Sequence, residues 1–146
     1  MFLLMKIRDM MTKETRSVSP DTSVVEAAGL MRVHDIGVVP VLDGDRIVGM
    51  LTDRDIVLQV VANGQDPRTT LVNAAMSTGS ISVFDDQTVD EGVELMQKYQ
   101  IRRLPVLDRQ NKLVGIVSLG DIAVDVHAGL SGKALKEVSE PSVPLM

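Results

Sequence analysis

The sequence predicts a mixed α/β (α+β) fold built from two β-α-β-β-α repeats that pack sheet to sheet about a pseudo-twofold axis. Three observations predict it. A residue pattern recurs at an offset of about 65 positions along the 146-residue chain. Within each copy, apolar runs of strand length alternate with stretches whose apolar residues fall at helical spacing. A copy of about 55 residues also buries too little surface to be secure alone, so two are expected to share the task.

The recurrence holds residue by residue. Met76 matches Met11, Val83 matches Val18, Asp86 matches Asp21, Glu91 matches Glu26, and Leu95-Met96 match Leu30-Met31. Ile101 matches Ile36, and Pro105-Val106-Leu107-Asp108 match Pro40-Val41-Leu42-Asp43. One extra residue in the turn at Arg109-Gln110-Asn111-Lys112 shifts the register, after which Val114-Gly115 match Val48-Gly49 and Asp121-Ile122 match Asp55-Ile56.

Element by element, Ile7 to Met11 suits a helical turn, and Arg16-Ser17-Val18 is a short strand closed by Ser19-Pro20-Asp21. A helix is expected from Thr22 or Ser23 to about His34-Asp35. Val24, Ala27, Ala28 and Met31 lie at helical spacing there, and Glu26 sits where a capping-box acid belongs. Gly37 to Leu42 and Arg46 to Leu51 read as two strands around a turn at Asp43-Gly44-Asp45. Pro40 inside the first points to an edge or a bulge, because proline donates no ladder hydrogen bond. Asp53 to about Val61 is the second helix. The domains are accordingly placed at 7–62 and 71–127, with 63–70 as a linker marked by Asn63-Gly64 and Asp66-Pro67. Residues 128–146 are read as a helix over Ser131 to Val138 followed by a tail.

The chemistry concentrates at the end of each copy, where Gly49-x-x-Thr52-x-x-Asp55 recurs as Gly115-x-x-Ser118-x-x-Asp121. An apolar run that ends on a hydroxyl and resumes as Asp-Ile is a strand feeding a helix, with Thr52 and Ser118 at the N-caps. The first N–H groups of a helix lack intrahelical partners, so anions and polar ligand groups are accommodated there. The same spacing is also a capping box, which needs no ligand and contributes about 1 kcal/mol.

Composition removes several alternatives. The chain is 45% hydrophobic and 24% charged, which is globular rather than disordered. Phe2, Phe84 and Tyr99 are its only aromatics, so the core is aliphatic and base recognition on stacked aromatic platforms is not expected. A formal charge of −5 argues against nucleic acid as a partner. Without cysteine there are no disulfides, thiolate zinc sites or cysteine nucleophiles. Lys6 and Arg8 follow Phe2-Leu3-Leu4-Met5 too soon for a signal-peptide core or membrane span, which suggests a cytoplasmic protein and no membrane partner. His34 and His127 are too isolated in sequence for a metal pair, the methionines suit core packing, and Asp85-Asp86 read as a turn and a cap. No P-loop, nucleophile elbow or dinucleotide fingerprint is present, so no enzyme and no required cofactor is expected.

The chain resembles a tandem pair of cystathionine-beta-synthase-type (CBS) domains, the arrangement called a Bateman module. Met11-Thr12, Val39-Pro40-Val41 and the closing Gly49, Thr52 and Asp55 carry the likeness, as do Met76-Ser77, Leu104-Pro105-Val106 and Gly115, Ser118 and Asp121. It runs from about Ile7 to Val126 and resembles the standalone bacterial and archaeal type. The resemblance implies two symmetry-related clefts that hold adenine nucleotides (AMP, ADP, ATP) or other adenosine derivatives as regulatory ligands. Asp55 and Asp121 would accept from ribose hydroxyls, with Thr52 and Ser118 contacting ribose or phosphate. Backbone around Arg16-Ser17-Val18 and Ile81-Ser82-Val83 would meet the adenine edge, beside the Pro40 and Pro105 strands. Arg102-Arg103 stand where the first copy has Gly37-Val38, and related sensors place basic residues there against phosphate. Arg54 is a weaker phosphate candidate. The likeness further implies a homodimer paired through helices, for which Val24, Ala28, Met31, Val93 and Met96 are candidates, and a regulated protein partner. The alternative reading is a structural dimerisation module with vestigial clefts.

Overall fold

A computed structural model describes residues 5–13, 16–78 and 81–123. The expected C-terminal helix, the tail and His127 lie outside the described residues. The rest forms two compact units, each with a three-stranded sheet and an aliphatic core.

In the first unit, helix α1 (Val24–His34) starts where the Ser23 hydroxyl accepts from the Glu26 N–H at 3.3 Å, and it ends at Asp35 with φ 52°. The Glu26 carboxylate does not return to the N-cap backbone, so the expected capping box is only half made. Strands β1 (Val38–Asp43) and β2 (Arg46–Thr52) pair antiparallel around Gly44, whose φ of 68° suits glycine. Pro40 faces Met50 on the outer strand of the ladder, next to a register shift between Val41 and Leu42. The bulge occurs as a missing donor allows, but β1 is not a free edge, because Val18 pairs along its outer side. On the outer side of β1, the Val18 N–H donates to the Pro40 carbonyl at 3.1 Å and the Val18 carbonyl accepts from Leu42 at 2.8 Å. Helix α2 (Asp53–Asp55) runs into a π-helical stretch, Ile56–Val61.

The second unit repeats the plan. Strand β4 (Val83–Phe84) lies parallel to β5 (Arg103–Leu107), which is central, and β6 (Leu113–Ser118) closes the sheet. Helix α4 (Val89–Tyr99) carries a complete capping box between Thr88 and Glu91 and ends at Gln100 with φ 55°. Residues 119–123 are helical. Val24, Met31 and Met96, expected on an exposed pairing surface, are instead core residues, and Ala28 and Val93 are half-buried. The inward face of each helix claims them, because they share one stripe with Ala27 in α1 and with Val89 and Gly92 in α4, at successive helical turns.

The compact units do not coincide with the sequence repeats, because each repeat's opening segment packs in the other unit. In the second unit, the 3₁₀ turn Ile7–Asp9 is anchored by Ile7 N–H to Gln87 O at 2.9 Å, while the Val89 N–H donates to Met5 O at 2.9 Å. In the first unit, helix α3 (Val72–Ala75) is anchored the same way, by Val72 N–H to Thr22 O at 2.8 Å and Val24 N–H to Thr70 O at 2.8 Å. Two orphan donors at the start of α1, Val24 and Val25, are thus satisfied by Thr70 and Pro67 of the linker. Strand β3 (Ser77–Thr78) then joins the edge of β2, and Thr12 bridges Ile116 in the matching place. Sizes are complementary at the seats. Ile7 lies against Gly92, where an added Cβ would stand 2.8 Å from its Cδ1, while the counterpart positions hold the smaller Val72 and the larger Ala27, both fully buried.

One ion pair belongs to the second unit alone. Arg109 donates to both oxygens of Asp86, at 2.8 Å and 2.9 Å, and its guanidinium lies 4.1 Å from the centroid of the Phe84 ring. The hydrogen bonds from Arg109 hold the Asp86 carboxyl below its ordinary value, and the Thr88 N–H does the same for Glu91. Both groups ionise more readily folded than unfolded. Their contribution is therefore fully present above the ordinary carboxylate values and is lost as pH falls below them, through the lowered folded-state values. The difference in melting temperature between the parent and Asp86→Asn is expected to be largest near neutrality and to shrink once pH drops below the ordinary aspartate value of 3.8. Thermal melts from pH 7 to pH 3, on the order of one unit apart, check this.

Candidate ligand site

Each closing turn is a reciprocal capping box. The Thr52 hydroxyl accepts from the Asp55 N–H at 3.0 Å, and Asp55 Oδ2 accepts from the Thr52 N–H at 2.9 Å. Ser118 and Asp121 do the same at 3.0 Å and 3.2 Å. The aspartates are turned back onto their own backbone, but through one oxygen only. Oδ1 of each has no hydrogen bond among the described residues, and all four residues are half-buried. An ionised carboxylate has about four acceptor sites, so capping leaves capacity for a further donor.

The glycine that opens each motif has a separate cause. A Cβ on Gly49 would stand 2.5 Å from the Ser77 carbonyl, and one on Gly115 would stand 2.7 Å from the Thr12 carbonyl. These glycines admit the exchanged segment to the edge of β2 and β6. They serve assembly of the sheet rather than ligand approach.

The two turns share a backbone tie and differ in charge. Asp53 N–H donates to Gly37 O at 2.9 Å, and Leu119 N–H donates to Arg102 O at 2.9 Å. In the first unit the Asp53 carboxylate lies where a side chain on Gly37 would point, its Oδ2 3.1 Å from that Cβ position. The second unit has Leu119 in place of Asp53, with Arg102 and Arg103 beside it and exposed. One turn is thus flanked by a carboxylate, and the other adjoins a segment that carries two arginines. Arg54 is exposed at the start of α2.

The remaining predicted residues divide. Pro40 and Pro105 are buried within β1 and β5. Val18 has both backbone groups engaged by β1, so it offers no main-chain edge to a ligand, and Val83 is paired with Val106 in the sheet. Ser17 is exposed and Ser82 half-buried. A cavity of about 400 Å³ in the first unit is lined by Ser17, Val18, Ser19, Thr22, Glu26 and Leu30, with Leu42 and Gly44. It does not include Thr52 or Asp55. Of its lining, sequence reasoning named only Ser17 and Val18, although Ser19 against Phe84 and Gly44 against Arg109 are visible differences between the copies. His34 is exposed, and no group of three or more His, Asp or Glu side chains comes together as a metal site among the described residues.

Comparison with known proteins identifies the family and the fold. The family pattern described as CBS domain matches residues 7–62 and again 72–127. The CBS domain-containing protein YhcV of Bacillus subtilis is 43% identical over 138 residues, covering 94% of this chain and 97% of that one. The crystal structure of Hypoxic Response Protein I, with two coordinated zinc ions, superposes with a TM-score of 0.74 at 38% identity, over 82% of this chain and 97% of that one. The CBS domain pair of protein MJ0100, in complex with 5′-methylthioadenosine and S-adenosyl-L-methionine, superposes with a TM-score of 0.77 at 26% identity, over 87% and 99%. Two matched copies, repeated turns and a shared fold place this chain in the CBS domain family, with two such domains in tandem.

Proposed function

We propose that the chain is a non-catalytic regulatory module that senses an adenosine-containing ligand at the Thr52–Asp55 and Ser118–Asp121 turns. The observation that carries this reading is the uncommitted oxygen on each aspartate, set at a helix start beside a half-buried hydroxyl. Ribose hydroxyls are suitable donors to such an oxygen, and hydrogen bonds to a charged acceptor are the stronger kind. The related pair in complex with methylthioadenosine and S-adenosylmethionine supports the ligand class. Charge separates the two turns. Arg102 and Arg103 favour a phosphorylated nucleotide near Asp121, whereas Asp53 disfavours phosphate near Asp55 and suits an uncharged or cationic adenosine derivative.

Calorimetry with AMP, ADP, ATP, methylthioadenosine and S-adenosylmethionine tests this. At least one is expected to bind, and at a hundredfold its dissociation constant to stabilise the fold by about 2.7 kcal/mol. Asparagine at position 121 keeps an oxygen for the Ser118 N–H but loses the charge. Asp121→Asn is therefore expected to weaken a phosphorylated ligand by roughly 10- to 100-fold, in line with the strength of charged hydrogen bonds, while Asp55→Asn leaves that ligand unchanged. Silence across the panel removes the sensor reading. The second reading, a homodimeric interaction module, is favoured by exposed Val57, Leu58 and Val61 along one helix. Self-association by light scattering that is indifferent to every nucleotide supports it.

A further inference from the structure

The cavity in the first unit has a counterpart in the second, position for position. Ser17, Ser19, Thr22, Glu26 and Gly44 correspond to Ser82, Phe84, Gln87, Glu91 and Arg109. The local backbone agrees, since Ser19 N–H donates to Thr22 Oγ1 at 3.1 Å just as Phe84 N–H donates to Gln87 Oε1 at 2.8 Å. What differs is the contents. In the second unit the place of Ser19 and Gly44 is taken by an aromatic ring with a guanidinium stacked on it, and that guanidinium is gripped by Asp86. The first unit has the walls, with Glu26 in the lining and Asp21 adjoining it through Ser19, but not the occupant.

Its acids are also uncommitted. Asp21, the counterpart of Asp86, has no side-chain hydrogen bond or ion pair among the described residues, and its N–H donates to Ser19 Oγ at the cavity wall, 3.2 Å away. Glu26 lines the cavity, whereas Glu91 is turned back to cap α4. Leu30, Leu42 and Val18 supply an apolar floor. A planar cation that stacks on apolar surface while pairing with carboxylates is a guanidinium, and a lysine ammonium lacks the plane and the fork.

We propose that this cavity is a binding site for a guanidinium group, held between Asp21 and Glu26 over the Leu30–Leu42 floor as Arg109 is held by Asp86 in the second unit. It is separate from the Asp55 and Asp121 turns and stands or falls independently of nucleotide binding. The guanidinium comes either from a small molecule or from an arginine side chain, and the probes distinguish these.

Backbone amide NMR of the full chain, titrated with agmatine, arginine amide, phenylalanyl-arginine amide and lysine amide, tests the site. Saturable shifts are expected at Ser17, Ser19, Glu26 and Gly44 with the guanidinium probes, at least about tenfold weaker with lysine amide, as a lost bidentate pair implies. Tighter binding of the dipeptide than of agmatine assigns the site to an arginine next to an aromatic in a partner, and the reverse assigns it to a small molecule. Ser19→Phe fills the cavity and is expected to abolish the shifts. Asp21→Asn with Glu26→Gln alters exposed carboxylates only, and is expected to weaken binding by at least about tenfold without lowering the melting temperature. Equal response to lysine amide, or shifts that persist in both variants, overturns the proposal.

Discussion

Shortening Leu104 to alanine is expected to destabilise the chain by about 2–5 kcal/mol. Leu104 is fully buried in the central strand β5, within the core that also holds Ile7, Val106, Val117 and Ile122. Removing most of its side chain loses transfer free energy and leaves a cavity that rigid strands on either side fill poorly. For a chain of this size the loss corresponds to roughly 6–15 °C in melting temperature. Leu58→Ala is the comparison, because Leu58 is 44% exposed on its helix. Denaturant unfolding of both variants separates the outcomes, and equal losses would mean that β5 is not at the heart of the core.

Gly49→Ala is expected to cost about 1–3 kcal/mol for adding a single methyl group. The new Cβ would stand 2.5 Å from the Ser77 carbonyl and 3.1 Å from the Met76 sulfur. A thioether swings aside cheaply, but the carbonyl belongs to β3, so the strand itself must back away from β2 and its pairing to Gly49 and Met50 is lost. The same change at Gly29, inside α1 with nothing within 4 Å, is expected to stabilise by about 0.5–1 kcal/mol, because alanine is the better helix former. Opposite signs from one substitution in one protein, read by thermal melts, test whether space rather than residue type decides.

Much of the fold was legible because it is written locally. Ser23, Thr52 and Ser118 announce helix starts, Gly44 announces a hairpin turn, and Pro40 announces a bulge, whereas the cap expected at Asp85-Asp86 falls instead on Thr88. Each depends on a few neighbouring residues, so spacing reveals it. The exchange of opening segments was not legible, since Ile7 meeting Gln87 and Val72 meeting Thr22 depend on partners far away in the chain. The same limit explains the misplaced pairing surface. Helical spacing shows that Val24 and Met31 share a stripe, but not whether that stripe faces the sheet or solvent. The π-helical Ile56–Val61 left no mark that propensity detects. At the candidate site, the Thr52–Asp55 and Ser118–Asp121 capping pairs follow from their spacing, whereas the division of labour between the two carboxylate oxygens needed coordinates.

Because Ile7 and Met10 complete one core while Val72 and Ala75 complete the other, cutting the chain at residues 63–70 would not release two independent halves. Each fragment would carry away a piece its sibling needs, and a polypeptide holding a single repeat would have to trade that piece with a second copy of itself, as in domain swapping. Joining both repeats in one chain turns that trade into an internal event at an effective concentration in the millimolar range. The connecting residues thereby make assembly independent of how much protein is present.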